Sequence, residues 1–169
     1  YYYVNKSSLP KVYGGFNTSL SWKGFDLSAI FAYSIGGYIY NRDITMILHN
    51  GSLEGRAWST EILRRWTPDN RYTDVPALST TSNNWNSAST RFLQNNSYMR
   101  LKNLTLSYNL PKPWISKLAL SSVQVYVQGD NLFTIHKNQG LDPEQGITGI
   151  TYYRYPAMRT ISGGINIAF

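Results

Sequence analysis

Apolar residues recur at every second position in five stretches of the chain, the mark of strands with one oily and one polar face. In residues 12–22 the oily set is Val12, Gly14, Phe16, Thr18, Leu20 and Trp22, and Tyr13, Gly15, Asn17, Ser19 and Ser21 alternate with it. In 25–37 it is Phe25, Leu27, Ala29, Phe31, Tyr33 and Ile35. Only Lys23-Gly24 separates the two runs. A two-residue hairpin sets Trp22 opposite Phe25, on the oily face of each, so turn length and patterning agree on one register. A third strand is expected at about 98–110, with Leu104, Leu106, Tyr108 and Leu110 sharing a face. A fourth spans about 122–134, with Val123, Val125, Val127 and Phe133 on one side and Gln124, Tyr126, Gln128 and Asp130 on the other. The fifth spans 158–169, where Ile161, Gly163, Ile165, Ile167 and Phe169 alternate with Ser162, Gly164, Asn166 and Ala168.

The connections alternate between about two, sixty, eleven and two dozen residues. Short turns at one end and long loops at the other are the habit of transmembrane β-barrels. A soluble sandwich has less reason to keep its long loops together. The longest connection is expected to carry one helix near 54–66, because Trp58, Ile62 and Trp66 recur at helical spacing and Thr67-Pro68 ends the pattern. That stripe is read as packing for the loop. Residues 79–90 read as irregular. Five strands are too few to close a barrel, so the chain is expected to be a piece of a longer one.

Composition fits. Aromatic residues make up 15% and charged residues only 15%, against about a quarter in ordinary soluble domains. There is no cysteine, hence no disulfide, thiol nucleophile or cysteine metal site. No apolar run approaches the length of a membrane-spanning helix. The net charge of +7 is spread along the chain without a basic cluster or recognition helix, which argues against nucleic acid.

With the oily faces turned outward, the first two strands present no charge to lipid from Val12 to Ile35. A lysine or arginine at the midplane of such a wall costs about 2–4 kcal/mol. Trp22, Phe25, Tyr108 and Phe169 fall near the short-turn side and suit the aromatic girdle of a periplasmic interface. At the long-loop end the outward positions turn basic: Arg100, Lys102 and Arg159 are expected at the outer rim, facing either lipopolysaccharide or solvent.

Ser162, Gly164, Ile167 and Phe169 together resemble the signal by which the outer-membrane assembly machinery recognises a barrel. The stretches "YGGFNTSLSWKGFDLS" (13–28), "RRWTPDN" (64–70), "SYMRLKNLTLSYNLP" (97–111), "VYVQGDNLFT" (125–134), "GLDPE" (140–144) and "YP" followed by "RT" (155–160) resemble, in order and spacing, the SusC/RagA family of TonB-dependent transporters of Bacteroidota. The resemblance implies an all-β fold: the last five antiparallel strands of a 22-stranded outer-membrane barrel with long extracellular loops, its plug domain absent from residues 1–169. It implies active import of oligosaccharides or peptides, a SusD-like lipoprotein lid, and the TonB complex contacting a part not contained here.

No catalytic constellation is visible, and neither an enzyme activity, a cofactor nor a metal site is expected. His49 and His136 lie far apart and read as surface loop residues. Asp142 and Glu144 lack the rhythm of a calcium loop and fit a turn built on Asp-Pro. Ligand contacts are expected from loop aromatics and amides: Asn83, Asn84, Trp85, Tyr152, Tyr153 and Tyr155, since flat rings suit sugar faces and amides suit hydroxyls. The same rings could instead pack the loops together or against the lid. Two alternatives stay open: a soluble, secreted glycan-binding β-sandwich, whose oily faces would have to meet each other, and a passive porin.

Overall fold

A computed structural model describes residues 4–49, 51, 53, 55–79, 81, 87–118, 120–138, 140, 142–144 and 146–169. In chain order the elements are β1 (Val12–Trp22), β2 (Phe25–Ile35), β3 (Tyr38–Asn41), α1 (Arg42–Ile47), β4 (Leu93–Asn95), β5 (Tyr98–Asn109), α2 (Lys112–Ile115), β6 (Ser122–His136), β7 (Ile150–Thr151) and β8 (Thr160–Ala168), with short 3-10 turns at Thr60–Arg64, Thr90–Phe92 and Ser116–Leu118. The long strands form one antiparallel sheet in the order β1-β2-β5-β6-β8. A small second sheet, β4-β3-β7, sits within the long loops.

The first hairpin has the register that the pattern dictates, with Trp22 opposite Phe25, Phe16 opposite Phe31 and Val12 opposite Ile35. Lys23 (φ 47°) and Gly24 (φ 88°) both take positive φ. That is the type I′ geometry whose twist matches that of the flanking strands. The Phe16 and Phe31 rings stack with centroids 4.7 Å apart, a cross-strand contact that helps pin the register. The connection from β5 to β6, with α2, lies on the Lys23-Gly24 side, since Tyr108 is opposite Phe25 and Val125. Both long loops leave from the other end.

The sheet is one layer. Phe16, Leu20, Leu27, Leu106, Val125, Val127, Ile161, Ile165 and Ile167 all stay exposed on its oily side. The opposite side is a polar ladder. Asn109 donates to Asp26 (2.7 Å), Gln124 to Asn109 (3.1 Å), and Asn166 to Gln124 (3.1 Å), linking β2, β5, β6 and β8. Further along, Asn103 and Gln128 both donate to Asp130. Gly164 sits under the Tyr126 ring, where a Cβ would come within 2.7 Å of the hydroxyl.

Two irregularities re-phase the sheet. The pairing of β2 with β5 shifts between Ile30 and Phe31, so that Asn103 pairs with Ile30 but Leu101 with Phe31, and Lys102 is the extra residue. The pairing of β5 with β6 shifts at the same place, where Asn131 takes φ 52°. A bulge of this kind breaks the period-two count. Beyond it Leu101 and Met99 join the face of Phe31 and Tyr33, so the oily face of β5 runs from Tyr108 to Met99 without a charge. Arg100 therefore turns to the polar side, opposite Ala32 and Thr134.

The buried core lies in the loop cluster. Ile39, Leu48, Ile62, Val75, Phe92 and Pro143 are buried there together with Asn41 and Thr151. Asn41 caps α1 by accepting from the Ile44 N–H at 3.1 Å. The expected helix near 54–66 is reduced to the 3-10 turn Thr60–Arg64, which buries Ile62 while Trp58 and Trp66 remain partly exposed. Ser59 and Arg65, extended at its two ends (ψ 145° and 156°), bound it. Of the expected packing stripe only Ile62 is buried, and the helix is corrected in length.

Candidate functional site

Two arrangements of side chains stand out, one joining the polar side of the sheet to a long loop and the other within the long loops. The first fixes the 137–159 loop to the wall. Arg100, only 3% exposed, sends Nε to Thr134 Oγ1 (2.8 Å), Nη1 to Glu144 Oε2 (2.8 Å) and Nη2 to Asp142 Oδ1. Lys102 Nζ joins from the bulge and donates to both oxygens of Glu144. Asp142 Oδ2 accepts the Ala157 N–H (2.6 Å) and Oδ1 the Glu144 N–H (2.9 Å), closing the loop on itself. Burial pushes the Asp142 carboxyl up. The two N–H groups and the Arg100 guanidinium outweigh it and hold the carboxyl below its ordinary range. Asn96 Nδ2 also donates to the Pro143 carbonyl at 2.9 Å.

This corrects the expected outer-rim role of Arg100, which points into an ion cluster on the polar side. Lys102 is half-buried and paired with Glu144. Arg159 lies just before β8 and lines, with Arg100, Thr134 and Asp142, a cavity of about 370 Å³. Pro143 forms a bend, spanned by the Glu144 N–H on Asp142 Oδ1, and the two acids serve Arg100. The period-two count across residue 102 hid the cluster. The shift in sequence from odd apolar positions (Met99, Leu101) to even ones (Leu104, Leu106) was the signal that could have revealed it.

The second arrangement is an aromatic platform. Tyr152 and Tyr153 have ring centroids 4.2 Å apart. The Arg42 guanidinium lies 4.7 Å above the Tyr152 ring. Tyr153 (φ 49°) donates its N–H to Asp43 Oδ1 at 3.0 Å, and Arg56 Nη1 lies 3.5 Å from its hydroxyl. Tyr155 is 98% exposed and stands apart from that pair. Asn83, Asn84 and Trp85 lie outside the described residues.

His49 is not a surface residue. It is 1% exposed, and its Nδ1 accepts from Trp58 Nε1 at 2.9 Å, while His136 is exposed as expected. Among the described residues no group of three acidic, histidine or cysteine side chains could hold a metal ion. Trp22, Phe25 and Tyr108 share one row across β1, β2 and β5, with the Phe25 and Tyr108 rings 4.5 Å apart. Phe169 follows β8 and is exposed. Ser162 and Gly164 lie on the polar side of β8 and Ile167 on the oily side, opposite Val123.

No family model matches the chain. It is 37% identical over 167 residues to TonB-dependent receptor P3 of Formosa agariphila, an alignment covering 92% of this chain and 16% of that protein. It is 27% identical over 171 residues to the TonB-dependent receptor SusC of Bacteroides thetaiotaomicron, covering 99% of this chain and 16% of that protein. Among solved structures, the RagAB peptide importer in its open-open state superposes with a TM-score of 0.85 at 35% identity, over 98% of this chain and 18% of the matched one. The chain thus spans about one sixth of the length of the curated relatives it matches.

Proposed function

Since this chain belongs to the SusC/RagA family of TonB-dependent receptors, we propose that it forms a five-stranded sector of the barrel wall in an outer-membrane active importer. The single observation that carries this reading is the back-to-back sheet: one uncovered oily face without charge and one hydrogen-bonded polar face. A bilayer solvates the first and a water-filled or plugged lumen the second. In a water-soluble sandwich the oily face would need a second sheet. In this reading the sector belongs to a 22-stranded barrel that also holds a plug, which distinguishes it from a passive porin. The long loops face the outside, where an oligosaccharide or peptide is held under a SusD-like lipoprotein and released inward when the TonB complex acts on the plug. The sector itself catalyses nothing. Its part is to shape the lumen and carry the loops. The Trp22, Phe25 and Tyr108 row marks the periplasmic interface, and Lys102 and Arg159 stand toward the outer side.

The chain has no cysteine, and any cysteine in the rest of the full-length protein is first replaced by serine, so that a single introduced thiol reports alone. In intact outer membranes containing the full-length protein, a hydrophilic maleimide should label Ile30→Cys, on the polar side, and leave Phe31→Cys untouched. Equal labelling of both would rule out a wall with one face in lipid.

A further inference from the structure

Beside the tyrosine pair lies a cavity of about 520 Å³, lined by Asp43, Met46, Ile47, Arg56, Tyr153 and Arg154 together with Ala57. That volume is in the usual range for small-molecule sites. Arg42 lies outside the lining and stacks on Tyr152, whose ring meets that of Tyr153. Among the described residues, none of Arg42, Arg56 and Arg154 makes a salt bridge. Asp43 is the one carboxylate in the lining, and it is engaged by the Tyr153 N–H. Two cations, Arg56 and Arg154, face one anion around an apolar floor of Met46, Ile47 and the Tyr153 ring.

We propose that this cavity is a subsite for an acidic oligosaccharide, one carrying uronate carboxylates. The inference rests on the importer reading and adds the charge of the cargo. Guanidinium forks match carboxylates in a planar, two-pronged geometry that a neutral sugar cannot satisfy. Arg56 and Arg154 receive the carboxylate. The Tyr153 ring, with Met46 and Ile47 beside it, meets the C–H face of the sugar. Arg42 holds Tyr152 in place behind it and acts as a positioning residue. Asp43, by fixing the Tyr153 backbone at its positive φ, aims the ring.

The test uses the full-length protein, purified in detergent from the outer membrane. Tetrasaccharides of galacturonate, glucuronate and mannuronate are titrated by calorimetry, each as the free acid and as the fully methyl-esterified form. At least one free acid should bind, at least tenfold more tightly than its ester, and more weakly as salt rises. Combining Arg56→Gln with Arg154→Gln should weaken it tenfold or more. The matching pair of lysine substitutions, which keeps the charge, should recover part of the loss. Arg64→Gln, at an exposed arginine paired with Glu61, should change nothing. Absence of binding by every free acid, equal affinity for acid and ester, or an unchanged Kd in the double glutamine variant would each overturn the subsite. A full-length protein missing from the outer-membrane fraction would instead sink the importer reading. One present there that fails to bind acids sinks the subsite alone.

Discussion

Replacing Arg100 by methionine should release the 137–159 loop from the wall. The arginine side chain is 4% exposed and that of Asp142 7%, while Glu144 is 38% exposed and keeps Lys102. The loss is therefore dominated by the Arg100–Asp142 pair. Removing one partner of such a pair leaves the other charge buried and costs about 3–5 kcal/mol. Asp142 keeps the Ala157 and Glu144 N–H groups, so the lower end, about 3 kcal/mol, applies. That is about a hundredfold in the opening equilibrium of the loop. Hydrogen exchange on the full-length protein in detergent reads it directly: the Ala157 and Glu144 amides should lose about a hundredfold in protection, while the β5–β6 ladder near Leu106 keeps its own. Lys102→Gln removes a half-exposed pair and should cost no more than about 1 kcal/mol. Asp142→Leu, which removes the acceptor of both amides, should strip their protection at least as far as Arg100→Met does. Unchanged exchange at Ala157 and Glu144 in Arg100→Met would refute the idea that this ion cluster holds the loop.

Acid should act on the same contact. The Asp142 carboxyl is depressed in the folded protein, so its contribution is fully present above the unfolded value of about 4 and is lost as pH falls through the folded one. Ala157 protection, corrected for intrinsic exchange, should be flat from pH 5 to 8 and fall only below about pH 4. Phe31→Arg places a cation midway along the oily face of β2 and should lower barrel stability by about 2–4 kcal/mol in a urea-unfolding assay in lipid, while Ile30→Arg costs less than about 1 kcal/mol. Deleting Phe169 from the full-length protein should lower the yield of assembled barrel, scored by heat-modifiable mobility on gels, most clearly at high expression. Normal yield would argue against an assembly role for the Ser162, Gly164, Ile167 and Phe169 set.

The wall was legible because its information is local. Period-two alternation and a two-residue turn place Trp22 opposite Phe25 without reference to anything distant. Arg100 was misplaced because one extra residue, Lys102, inverts every face beyond it, and a constant period cannot represent that. The loops were less legible for another reason. His49 is buried by Trp58 and the segments around it, and α1 is a short helix set by the Asn41 cap and by contacts with β7. Neither leaves a periodic trace. The Arg100–Asp142 pair joins residues far apart in sequence, so the separate stretches "SYMRLK" and "GLDPE" carry no sign of it.

The location of the close-packed interior has a consequence for how the chain tolerates change. A fluid bilayer fits itself to whatever side chains it meets, so the outer wall asks for greasiness and little else. A swap of isoleucine for leucine at Ile165 should pass unnoticed. Phe92, Ile39 and Val75 are gripped on all sides by other parts of the protein, and there shape is demanded as well as oiliness. The connecting segments, ordinarily the permissive part of a protein, are in this chain its exacting part.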